Sequence, residues 1–195
     1  MATVSARLIL GTVLALSISL YPQTAKTSET SENAVTLADL GLRYTPPADM
    51  VDKTAPATLQ AREHANSYSL KSAELLLDLS SDEADDSPSW HQIWMFHFPR
   101  AQLKGLSEWA SEAKVNSALA GPRAQPVGQP ASAVFDGHTF LVSEFEQIEP
   151  PLKKHAKVYT TVCRTQLVSF VFVANSADPI KGMENSLKSL SFSGK

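Results

Sequence analysis

The side chains of this sequence that could do chemistry are few and scattered: five histidines (His64, His91, His97, His138 and His155), one cysteine (Cys163), and the acidic run Asp82-Glu83-Ala84-Asp85-Asp86. Zinc sites are usually announced by tight ligand pairs such as HxxxH or CxxC, and none occurs. His91 and His97 belong to one extended stretch, where six residues separate them by roughly 20 Å, too far for a shared metal; each reads as a surface or edge histidine. His64, His138 and His155 could converge only through the fold. Cys163 lies in YTTVCR, where alternation groups it with Tyr159 and Thr161 and turns Arg164 to the opposite face. A nucleophilic thiol needs a helix N-terminus or a base beside it, and a strand interior supplies neither, so Cys163 reads as a small, half-buried core residue.

No GxSxG or SxxK arrangement marks a serine hydrolase. The acidic run lacks both the D-x-[DN]-x-[DN]-G spacing and the glycine of a calcium loop, and reads as solvated. Lys153, Lys154, His155 and Lys157 form a small basic group after Pro150-Pro151. It could meet an acidic partner, but edge-strand protection by lysines is the preferred reading. VSFVFVANSADPIKGM (Val168 to Met183) sends an apolar run through a turn into a helix, the setting of many phosphate sites. A phosphate cradle needs glycines in that turn; Ala174 to Pro179 has none, and Asp178 would repel an anion there.

The elements that must position these residues begin after an N-terminal leader. Arg7 precedes an apolar segment, Leu8 to Leu20, followed by Tyr21-Pro22 and small polar residues. That is the tripartite form of a secretory signal peptide, and its apolar part falls short of the roughly 20 residues that span a bilayer. Cleavage after Ala25 is expected, with Gln23 an imperfect match to the site; an uncleaved N-terminal anchor is the rival, and the only route to a membrane. No cysteine follows the apolar segment to carry a bacterial lipid. Residues 26–35 read as a flexible spacer and 36–195 as a single globular domain. With one cysteine no internal disulfide forms, so a domain in an oxidising compartment depends on its core. The 195 residues are 43% hydrophobic and 19% charged, with a net charge of −3, which gives no general attraction to nucleic acid.

Along the domain, Gly41 to Tyr44 reads as a short strand stopped by Pro46-Pro47, Thr58 to Ser69 as helix or loop, and Ala73 to Ser80 as a buried strand. His91 to Pro99 is strongly strand-like, with Trp94, Phe96 and Phe98 on one face and Ile93, Met95 and His97 on the other. Ser107 caps a predicted helix to about Ala120, with Leu106, Trp109, Ala113 and marginally Leu119 toward the core. GPRAQPVGQPAS is read as a connection. His138 to Ile148, His155 to Arg164 and Gln166 to Asn175 follow as strands, the last two forming a hairpin around Arg164-Thr165. Asp178 is expected to cap a final helix at Pro179, with Ile180, Met183 and Leu187 on its inner face. The order gives α+β: an antiparallel β-sheet flanked by helices.

The closing runs GHTFLVSEFEQI and KVYTTVCRTQLVSFVFVANSADPIKGMENSLKSLSF, with the earlier LGLRYTPPADM, resemble PsbP-like domains over Leu40 to Phe192. The resemblance implies a PsbP-like α/β/α sandwich, whose members are mostly non-enzymatic binding or assembly proteins. It carries no functional residue across, because no binding motif matches. The expectation is therefore an exported, secreted or periplasmic protein that engages an envelope or extracellular protein or a small ligand, with no cofactor, metal or catalytic residue assigned. The alternative is an enzyme or enzyme accessory assembled from dispersed residues, with His97, Trp94 and Cys163 its members.

Overall fold

The computed structural model describes residues 34–55, 73–149 and 152–193. In chain order the elements are β1 (Val35–Leu37), β2 (Leu42–Tyr44), β3 (Met50–Asp52), β4 (Glu74–Ser81), β5 (His91–Pro99) and α1 (Glu108–Ala120). Then come β6 (Gln125–Pro126), β7 (Ala131–Phe135), β8 (His138–Glu149), β9 (Leu152–Cys163), β10 (Gln166–Ala174), α2 (Ala177–Ser186) and β11 (Ser191–Phe192). The leader, residues 1–25, and the ambiguous Thr58 to Ser69 lie outside the described residues.

The large sheet runs β3-β4-β5-β10-β9-β8-β6, with β7 pairing to β8 beside β6, and every pairing is antiparallel. β10 lies at its centre, between β5 and β9, which is why its sequence is a nearly continuous apolar run: both faces are covered, so alternation has nothing polar to present. On one face, Ile93, Met95, Phe140, Tyr159, Phe170 and Phe172 pack with Ile180, Met183 and Leu187 from α2 and its continuation. A three-stranded sheet, β1-β2-β11, closes the same side, with Tyr44 edge-on to Phe170 at 5.2 Å between ring centres. On the other face, Phe98, Leu167 and Val115 form one cluster and Trp90, Phe145, Val158 and Val171 another, under α1. The predicted two-faced burial of His91 to Pro99 and the inner stripe of the last helix are both present.

Four details depart from the sequence reading. The supposed connection, Gly121 to Ser132, contains β6 and the start of β7; Asp136-Gly137, at φ 45° and 76°, makes the tight turn into β8 that suits a two-residue hairpin. The final helix is capped at Ser176, which places Asp178 in its first turn. Helix α1 begins as expected, Ser107 Oγ accepting from Ala110 N at 3.2 Å, but it seats a different stripe. Leu106 and Trp109 are exposed, Trp109 at 57%, while Ser111, Glu112, Val115 and Asn116 are buried. The reason is polar. Asn116 Nδ2 donates to Ser143 Oγ at 3.0 Å and to the Leu141 and Val158 carbonyls, while its Oδ1 accepts from Thr160 Oγ1 at 2.5 Å. Ser169 Oγ joins Thr160 at 2.6 Å, so polar side chains complete one another at the centre of this interface. Finally, β9 is interior from His155 to Cys163, where it pairs with both β8 and β10, so edge protection does not explain Lys157; Lys153 and Lys154 extend past β10 and pair with β8 alone, as that reading expects.

Candidate functional site

The structure disperses most of the residues that sequence alone singles out. His91 Nδ1 meets the Ser89 carbonyl at 2.8 Å, and His97 Nε2 meets Glu74 Oε2 at 3.0 Å. His138 stacks on Phe192 with ring centres 3.9 Å apart, and His155 lies 3.7 Å from a Glu146 oxygen; His64 lies outside the described residues. Among the described residues no three potential metal ligands gather. Cys163 is buried, its thiol directed at the Leu40 carbonyl at 3.0 Å, and burial raises its pKa despite the neighbouring Arg164. Trp94 belongs to the sheet face opposite His97 and Cys163, so this trio does not converge. The acidic run forms a loop whose backbone is tied down by Asn175 Nδ2, which donates to the Asp85 and Ser87 carbonyls at 2.8 Å each.

A cleft of about 640 Å³ opens instead between α2 and the β7-β8-β9 end of the large sheet. Val142 and Tyr159 form its floor, Ala131, Ala133 and Phe135 one wall, and Lys181 and Glu184 the other. Lys157 lines it as well. Its Nζ lies 2.8 Å from Glu144 Oε1 on β8 and 2.6 Å from Glu184 Oε1 on α2. Tyr159 donates its phenolic proton to the same Glu184 oxygen, and the Lys157 ammonium sits 6.0 Å from the Tyr159 ring centre.

The electrostatics of this group are closed on themselves. Burial, the Glu184 hydrogen bond and both carboxylates push the Tyr159 phenol well above its ordinary range, so it is a neutral donor. For Lys157 burial lowers the pKa, but hydrogen bonds and charge from Glu144 and Glu184 outweigh it, and the net shift is upward. A general base or an activated amine needs the opposite shifts, so this arrangement holds and orients rather than abstracts protons. Lys153 is likewise occupied, 2.7 Å from Glu146 Oε2, and Lys154 lies over the Trp90 ring at 5.2 Å.

Sequence reasoning noted Lys157 as part of a basic run and passed over Glu144, Tyr159 and Glu184. A signal was available. In KVYTTVC, Lys157 falls in phase with Tyr159 and Cys163 on the core-facing side, and Glu144 is in phase with Phe140 and Val142. A charged residue in core phase on each of two strands marks a place where a charge must find a partner.

The fold is PsbP-like. The solution structure of cyanobacterial PsbP (CyanoP) from Synechocystis sp. PCC 6803 matches with a TM-score of 0.53 and 14% identity, over 82% of this chain and 91% of that one. LpqN, described as involved in cell envelope biogenesis of Mycobacterium tuberculosis, matches at 0.45 and 12%, over 80% and 84%. A crystal structure from Bacteroides thetaiotaomicron VPI-5482 matches at 0.45 and 11%; the match spans 80% of this chain but only 46% of that one. No protein-family model and no curated protein sequence matches the chain. Among the described residues no helix is long and apolar enough to cross a membrane.

Proposed function

We propose that this chain is an exported, non-catalytic binding or assembly protein whose contact site is the cleft between α2 and β7. The observation that carries the reading is the cleft itself: some 640 Å³ of space whose lining includes a lysine, two carboxylates and a phenol that satisfy one another. Such a set offers fixed donors and acceptors to a visitor, and it lacks a group poised for proton transfer or attack. The tripartite leader supports export, and the PsbP-like fold supports the general class, since folds of this kind set the frame and leave the activity to the site.

The test is capture from envelope extract by the mature, tagged protein, run beside Ala131→Arg, which fills the cleft from an exposed position of β7 in phase with Ala133 and Phe135. The expected result is a protein or small ligand retained by the wild type and lost with Ala131→Arg. A bound species indifferent to that substitution would move the site elsewhere, and nothing retained above background would overturn the binding reading. Sequencing the mature N-terminus checks the export part, with a start at Lys26 expected.

A further inference from the structure

We infer that the cleft takes an extended, acidic peptide that adds a strand to the open edge of β7. This rests on the cleft reading above and names its occupant. Among the described residues β7 pairs with β8 and with no other strand, so its outer edge carries N–H and C=O groups without strand partners. Proteins guard such edges with lysine, proline or inward charge, and Ala131–Phe135 has none of these; its Val134 is 64% exposed. The same strand lines one wall of the cleft while α2 lines the other. A segment laid along β7 would therefore send alternate side chains toward the cleft and hold its backbone by main-chain hydrogen bonds.

Charge selects the peptide's chemistry. Lys157 is neutralised between Glu144 and Glu184. Among the described residues, Lys181 on the α2 wall meets only Asp178, at 3.3 Å, whose side chain is 92% exposed, and Lys188 only the neutral Asn185 Oδ1, at 3.0 Å. These two lysines are about two helical turns, roughly 10 Å, apart, a span that carboxylates two to four positions apart on an extended strand bracket. The three lysines and two glutamates lining the cleft leave one positive charge in excess. A second copy of this chain fits less well: pairing β7 with itself about an axis normal to the sheet would bring the lysine-bearing α2 walls toward each other.

The test selects a phage-displayed library of short random peptides on the mature domain and measures the winners by fluorescence anisotropy. Peptides rich in Asp or Glu at alternate positions are expected, protecting the β7 amides from hydrogen exchange and losing about tenfold in affinity against K181E/K188E. Those lysines are exposed, so the double variant keeps its fold, which circular dichroism verifies. No enrichment, enrichment of basic or uncharged peptides, or indifference to the charge reversal would overturn the proposal. A concentration-dependent dimer abolished by Ala133→Pro would overturn it in favour of a second copy. If selection fails while envelope capture is still lost with Ala131→Arg, the acidic-strand proposal falls and the cleft reading stands.

Discussion

Lys157 Nζ on β9 lies 2.6 Å from Glu184 Oε1 on α2, so one ion pair ties an interior strand of the sheet to the helix that covers it. Both side chains are largely shielded, at 21% and 27% exposure, and Glu184 also holds the Tyr159 phenol. Loss of one partner leaves the other charge poorly solvated. A double-mutant cycle with Lys157→Met and Glu184→Gln in urea unfolding should give a coupling of about 1–2 kcal/mol. A coupling near zero would mean the pair is solvated and does not hold α2.

Asn116 makes a sharper case, because its amide serves four partners at full burial. Asn116→Ala opens a cavity, strands Ser143 and leaves Thr160 with Ser169 alone, with an expected loss of about 3 kcal/mol in the denaturant midpoint analysis. Replacing Asn116 with Leu should not recover that loss, since the sheet polar groups would still lack partners.

Glu112 is 7% exposed, and burial, reinforced by Glu108 and opposed by Arg100, pushes its carboxyl up to about 7. The folded state therefore holds this proton more tightly than the unfolded chain, whose glutamate titrates near 4.3. The associated stability is present at acid pH and is lost as pH rises from about 4 through about 7. Glu112→Gln should raise stability at pH 8 by about 2 kcal/mol, leave it little changed at pH 4, and flatten the difference between them. Equal effects at both pH values would contradict the assignment.

Gly41 sits at φ +63°, and a Cβ there would come 2.2 Å from the Ser193 carbonyl oxygen. Ser193 N also donates to the Gly41 carbonyl at 2.6 Å, so this contact fastens the C-terminal strand to β2. Gly41→Ala should cost about 1–3 kcal/mol and increase amide exchange across Ser191–Phe192.

Cys163 should react with iodoacetamide about a hundredfold more slowly in the native protein than in urea, because the thiol is buried and its pKa raised. Fast labelling of the native protein would reopen a nucleophilic role for it.

Much of this fold was legible because local pattern reports local burial. The two-faced run of β5, the Ser107 cap, the Arg164-Thr165 hairpin and the Ile180, Met183 and Leu187 stripe all follow from side-chain periodicity and turn chemistry within a few residues. The short β7 was hidden by the proline-rich segment before it, although Asp136-Gly137 announced a hairpin. The bounds of helix α1 follow from its cap, but its inner face does not follow from apolar periodicity, because the sheet there presents Ser143, Thr160 and Ser169.

The amino-acid sequence by itself determined an α+β chain with an antiparallel core, the faces of its main strands and the lack of any HxxxH or CxxC ligand pair. Only the tertiary structure decided that β9 is interior, that β7 is left at an edge, and that Glu144, Lys157, Tyr159 and Glu184 share one cleft. The physical reason is that periodicity encodes which side of an element is apolar. Strand neighbours, open edges and charge partners depend on contacts between segments far apart in the chain, and these leave no periodic trace in any one of them.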